Sequence, residues 1–133
     1  MDFVVDTSAV LAVISEQPEK AELIRITRGA SLLAPPSLHW EVGNALSAMF
    51  KRRKLDVDQA LQLLVSYAAI PIRFTDVTLR QAVELSAQLG IYAYDAYVIA
   101  CALNHRAPIV TLDAGLAARA RELKLEVLEV VVP

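Results

Sequence analysis

Short, wholly apolar runs rich in β-branched residues alternate along this 133-residue chain with stretches whose apolar residues recur at helical spacing. No other feature constrains the fold as tightly. Residues 3–5 carry no polar side chain, as expected of a strand buried on both faces. Residues 32–34, stopped by Pro35 and Pro36, read as a second strand, and 108–111 and 127–132 as two more. Ile70, Ile72 and Phe74 alternate with Pro71 and Arg73, which predicts an edge strand, because proline cannot donate to a ladder. Helical patterns fill the intervals at 10–14, 19–28, 37–53, 76–89, 94–104 and 113–123, with another from Asp56 or Asp58 to residue 67. Ser37, Asp76 and Asp113 read as N-caps. Strands alternating with helices imply right-handed crossovers and a parallel sheet, hence an α/β fold. In such sheets the ligand crevice lies beyond the carboxyl ends of the strands.

Composition narrows the class. The apolar fraction of 56% is far too high for a disordered chain, and 133 residues predict one domain over 1–133. The clean apolar run at 96–103 is far short of the ~20 residues a membrane span needs, so no membrane partner is expected. No lysine or arginine precedes Lys20, which argues against a secretory signal and for a cytoplasmic protein. Cys101 is the single cysteine; in its apolar helical run it reads as a buried thiol. A net charge of −2 gives no general attraction to nucleic acid, so any such contact must be local.

The sheet rule delivers three acids to one edge, and the topology permits a fourth. Asp6 follows the first strand, Glu41 lies one turn inside the helix after the second, and Asp113 follows the fourth. Asp95 opens the helix leading into that fourth strand. Taken singly, Asp6, Asp95 and Asp113 read as helix caps and Glu41 as a solvated first-turn acid. Taken together they would be costly: two carboxylates ~4 Å apart repel by about 4 kcal/mol at an effective dielectric of 20. Either protons or a divalent cation must compensate. With no histidine or cysteine cluster, oxygen donors favour Mg²⁺ or Mn²⁺ over zinc, and such ions typically serve phosphoryl chemistry. Thr7, Ser8 and Thr111 are placed to orient the acids or to bond the helix starts locally. Asn44 shares a helix face with Glu41.

The motifs VVDTSAV, HWEVGNAL, YDAYVIACA and VTLD, in this order, resemble the PIN-domain family, and within it the VapC toxins of toxin–antitoxin pairs. The resemblance covers residues 4 to about 127. It implies a three-layer α/β/α sandwich around a parallel sheet of strand order 3-2-1-4-5. It also implies a Mg²⁺- or Mn²⁺-dependent endoribonuclease that hydrolyses RNA with a metal-activated water. Asp6, Glu41, Asp95 and Asp113 correspond to the family's acidic quartet. Asp6 and Asp95 match its metal ligands, with Glu41 and Asp113 completing the site directly or through water. Thr7, Ser8, Asn44 and Thr111 match accessory polar positions. A cognate antitoxin protein and homodimerisation are further implications.

Other features have ordinary readings. Lys51, Arg52, Arg53 and Lys54 form the one basic run, read first as a solvated helix end and second as RNA-phosphate contacts. His39 reads as a surface or interface residue, His105 as a helix-end cation, and Tyr92, Tyr94 and Tyr97 as packing or base-stacking groups. Leu46, Met49 and Phe50 are candidates for an exposed partner-binding face. Two other readings compete. A different metal-dependent phosphohydrolase of the haloacid-dehalogenase type would need an acid two residues after Asp6, where Ser8 stands. A non-catalytic interaction module would leave the four acids as dispersed caps.

Overall fold

Five strands form one wholly parallel sheet: β1 (Asp2–Val5), β2 (Ser31–Ala34), β3 (Ile72–Phe74), β4 (Ile109–Val110) and β5 (Val127–Leu128). Their spatial order in this computed structural model, which describes residues 1–132, is β3-β2-β1-β4-β5. The helices are α1 (Thr7–Ile14), α2 (Lys20–Thr27), α3 (Ser37–Lys51), α4 (Val57–Ala68), α5 (Leu79–Leu89), α6 (Ala93–His105) and α7 (Ala114–Glu122).

The register explains why the central strands read as unbroken apolar runs. Val4 pairs with Leu33 on one side and Ile109 on the other, and all three are fully buried. That row packs with Leu85, Ile99 and Leu116 from α5, α6 and α7. Phe3, Val5, Ala34 and Val110 point to the opposite face, where they pack with Val10, Leu23, Val42 and Ala60 from α1 to α4. Each residue of these strands therefore has an apolar layer to enter, and the result is a three-layer α/β/α sandwich. Strand β3 lies at the sheet edge, where Pro71 does no harm. Cys101 is a buried free thiol whose ionisation burial pushes up.

Several boundaries differ from the sequence reading. Only Ile109–Val110 and Val127–Leu128 pair as strands, while Val130 still packs against the core and Val131 and Val132 are exposed. The long helix stops at Lys51, and Arg53 turns left-handed at φ 55°. Ser37 is no cap: Pro36 already has helical torsions (φ −58°, ψ −22°), so Ser37 lies inside the helix. Its buried hydroxyl has no hydrogen-bond partner. Asp76 is no cap either. Thr78 starts α5 by accepting the Gln81 N–H at 3.1 Å, which leaves Asp76 exposed in the preceding loop. Of the two candidates before α4, Asp56 is the cap, in a reciprocal box with Gln59.

The strand order changes direction at β1, from which β2 lies on one side and β4 on the other. Open α/β sheets bind ligands outside the carboxyl ends of the strands at such a switch point. Asp6 leaves β1 there, and Asp113 follows β4 there.

Candidate active site at the carboxyl edge of the sheet

Asp6 is set by three independent anchors. Its extended backbone caps α1, and its Oδ1 accepts the Ala9 N–H at 3.1 Å. Ser8 donates from Oγ to Oδ1 at 2.8 Å, and Thr111 donates from Oγ1 to Oδ2 at 2.6 Å. The two hydroxyls also hold the next loop: Ser8 Oγ accepts the Leu112 N–H at 2.9 Å and Thr111 Oγ1 accepts the Asp113 N–H at 3.0 Å. Thr111 thus serves Asp6, although in sequence it is closest to Asp113. Ser8 does more than cap its helix, because it ties the β1–α1 junction to the β4–α7 junction. These bonds leave Asp6 only 6% exposed and fixed in orientation.

The other acids arrive from separate elements. Asp113 caps α7, accepting the Leu116 N–H at 3.1 Å, and its carboxylate faces solvent. Glu41 projects from the second turn of α3 and Asp95 from the first turn of α6, three residues past the cap position at Tyr92. Repulsion between their charges links the four in pairs. Burial pushes Asp6 above its ordinary pKa and Asp113 adds to the rise, against the bonds from Thr111, Ala9 and Ser8. Glu41 is raised by burial and by the charges of Asp6 and Asp95, while Thr7 beside it pulls the other way. Asp95 is raised by burial, then by Asp113 and Asp6. None of the ion pairs among the described residues reaches these acids, so no basic side chain offsets their repulsion.

The donor set suits a hard divalent cation in chemistry: it is all oxygen and its negative charge is uncompensated. The Thr7 hydroxyl, buried and without a hydrogen bond of normal geometry, is a spare polar group beside Glu41. As the side chains stand, no three His, Cys, Asp or Glu among the described residues are drawn close enough to grip an ion. The acids are near enough to repel and still short of a finished ligand shell.

Thr7, Glu41 and Asn44 line a cleft of about 190 Å³ closed on one side by Tyr94. Lys51, Arg52, Arg53 and Lys54 are exposed, and no ion pair among the described residues engages them. They lie near the far end of α3, ~16 Å from Glu41 along the axis. His39 is exposed, as its surface reading expects, and it makes contacts that reading does not include: its ring lies 4.2 Å from that of Phe74, and its Nδ1 bonds the Tyr67 hydroxyl at 2.9 Å. The signal was faint, since Phe74 and Tyr67 are remote in sequence. Leu46 is buried, which removes it from any exposed partner-binding face.

The PIN domain family model matches residues 3–122. The chain belongs to the PIN-domain family. PIN domains are generally nucleases, and those nucleases generally use a divalent metal. Two solved structures share this PIN fold. PAE2754 from Pyrobaculum aerophilum superposes with a TM-score of 0.71 at 22% identity, covering 90% of this chain and 79% of that one. VapBC2 from Rickettsia felis, bound to a DNA fragment from the pair's promoter, gives 0.69 at 14% identity over 97% and 98%. No curated protein sequence matches significantly. No helix among the described residues is long and apolar enough to cross a membrane.

The charge coupling in this PIN domain has a measurable consequence. Asp6, Glu41 and Asp95 have folded-state pKa values above their ordinary 3.8, 4.5 and 3.8. Above the ordinary value the folded state holds protons that the unfolded chain has lost, so these groups lower stability as pH rises. Without divalent ions, the Asp95→Asn variant should therefore lose less stability than the wild type on going from mild acid to neutral pH. Thermal melts of both proteins in EDTA across that range measure the difference. Equal pH slopes would contradict the coupling.

Proposed function

We propose that this PIN domain, spanning residues 1–133, is a Mg²⁺- or Mn²⁺-dependent endoribonuclease and the toxin of a cytoplasmic type II toxin–antitoxin pair. The observation that carries the reading is that Asp6, Glu41, Asp95 and Asp113, at the ends of β1 and the starts of α3, α6 and α7, lie close enough for their charges to raise the pKa values of Asp6, Glu41 and Asp95, with no ion pair to neutralise them. Asp6 and Asp95 would ligate the ion, with Glu41 and Asp113 completing the site directly or through water. A divalent ion held there would neutralise the cluster and supply an activated water and charge stabilisation on the phosphate oxygens.

The chain's own groups divide the remaining work. Ser8 and Thr111 hold the Asp6 carboxylate in one orientation, so it need not be reordered when it binds. The unpartnered Thr7 hydroxyl would be free to orient Glu41 once substrate and ion are bound, and Asn44 would offer an amide toward substrate phosphate one turn along α3. Lys51, Arg52, Arg53 and Lys54 would meet a more distant stretch of RNA backbone.

An antitoxin partner is proposed by analogy with the R. felis complex, whose fold this chain shares. A homodimer gains support from α4, where Val57, Leu61, Leu64 and Val65 form an exposed stripe at helical spacing.

The test is cleavage of purified RNA. Fragments should appear with Mg²⁺ or Mn²⁺, vanish with EDTA and return on adding excess metal. RNA left intact under all three conditions would overturn the reading.

A further inference from the structure

Beside the acids lies a second, larger cavity of about 520 Å³, within the roughly 300–1,000 Å³ of small-ligand sites. Pro35, Ser37 and Trp40 line it from the start of α3, Asp76 from the loop before α5, and Tyr94 and Tyr97 from α6. It adjoins the candidate active site in two ways. Tyr94 walls both this cavity and the cleft that holds Glu41. Trp40 and Tyr94 are also the chain neighbours of Glu41 and Asp95, so the two helices that supply acids to the site supply aromatic rings to the cavity.

The cavity is chemically specific. Trp40 is 69% exposed and Tyr94 50%, an unusual degree of solvation for large rings, and Tyr94 is braced edge-on by Tyr97 at 6.1 Å. Asp76 caps no helix, and among the described residues it makes neither an ion pair nor a side-chain hydrogen bond. The Ser37 hydroxyl is buried and unpartnered. Flat apolar faces beside a free carboxylate match an unpaired nucleobase, which proteins take by aromatic stacking and by bonds to its Watson–Crick edge.

We infer that this cavity holds an unpaired guanine of the substrate, stacked on Trp40 and Tyr94 and read by Asp76. Guanine offers two adjacent N–H donors, at N1 and N2, and a carboxylate accepts both. Adenine and cytosine place a ring-nitrogen acceptor beside their amino group, where it would face the negative carboxylate. Uracil offers a single N–H between two carbonyls. The choice of RNA as occupant rests on the nuclease reading above, since it seats the base of a nucleotide whose phosphate lies at the acids.

The test separates base recognition from catalysis. Trp40 is the sole tryptophan of the chain, so its fluorescence reports the cavity directly. Guanosine, which carries no phosphate to be repelled by the ion-free acids, titrated in EDTA and excited where nucleosides do not absorb, should quench Trp40 saturably. Uridine should bind roughly tenfold more weakly. Asp76→Asn should erase that preference, and Tyr94→Ala should weaken guanosine roughly tenfold. In cleavage assays Asp76→Asn should lower the ratio of kcat/KM on a guanine-containing single strand to that on its guanine-free counterpart roughly tenfold. No saturable quench, equal affinity for both nucleosides, or a preference that survives Asp76→Asn would each overturn the inference. Quenching by an aromatic peptide but by no nucleoside would also overturn it, by assigning the cavity to a protein partner. Failure of the nuclease reading looks different: no RNA is cut whatever its bases, while the quench still reports the cavity.

Discussion

Asp95→Asn is expected to reduce RNA cleavage by on the order of 10²–10³, the usual cost of losing one preorganised electrostatic group in an active site. The substitution keeps the size and polarity of the side chain and removes only the charge. Asp95 is half-buried in the first turn of α6 and makes no hydrogen bond to the protein, so no structural contact is lost. Removing its charge also relieves repulsion with Asp6 and Asp113, so the ion-free variant should be as stable as the wild type or up to about 1 kcal/mol more stable. Lost activity with retained or increased stability is the signature of a group kept for function. Single-turnover cleavage assays paired with urea melts measure both. A variant that cleaves at the wild-type rate would remove Asp95 from the site. Asp6→Asn should be equally inactive but less stable, because its carboxylate accepts bonds from Ala9, Ser8 and Thr111.

The largest effect on stability is expected at the centre of the sheet. Leu33 is fully buried between Val4 of β1 and the α6 layer, and truncation to alanine should cost about 3–4 kcal/mol. Against a total of roughly 5–15 kcal/mol for a domain, that loss is large, and the melting temperature should fall by roughly 10–20 °C. Leu64→Ala is the control. Leu64 lies on the exposed stripe of α4, so the same truncation should barely change the stability of the monomer. Equal losses at the two positions, measured by urea melts at low protein concentration, would contradict the layer assignment.

The fold was legible because its central strands must be apolar on both faces. Phe3, Val4 and Val5 leave no polar position in β1, and that pattern excludes a solvated sheet. The three acids that follow or accompany strand ends were legible by the same logic, since a parallel sheet delivers them to one edge. The helix starts were less legible. Pro36 and Ser37 form a plausible cap pair in sequence, but the fixed torsion of Pro36 begins the helix before serine can act. Asp76 and Thr78 compete for one cap, and sequence alone gives no reason to prefer threonine. Contacts that join distant segments were least legible: Thr111 to Asp6, His39 to Phe74 and Tyr67, and the cavity between α3 and α6 exist only once the sheet is assembled. The basic run at Lys51–Lys54 stayed where sequence placed it, on a solvated helix end.

The central claim is that four acids at the switch point of the sheet form one divalent-cation site. Anomalous diffraction from crystals soaked in Mn²⁺ tests it most directly. The predicted result is a peak within about 2.5 Å of carboxylate oxygens of Asp6 and Asp95, with Glu41 and Asp113 turned toward it. The account would be contradicted by a fully soaked crystal with no peak there, or with its manganese at another acidic pair such as Asp56 and Asp58.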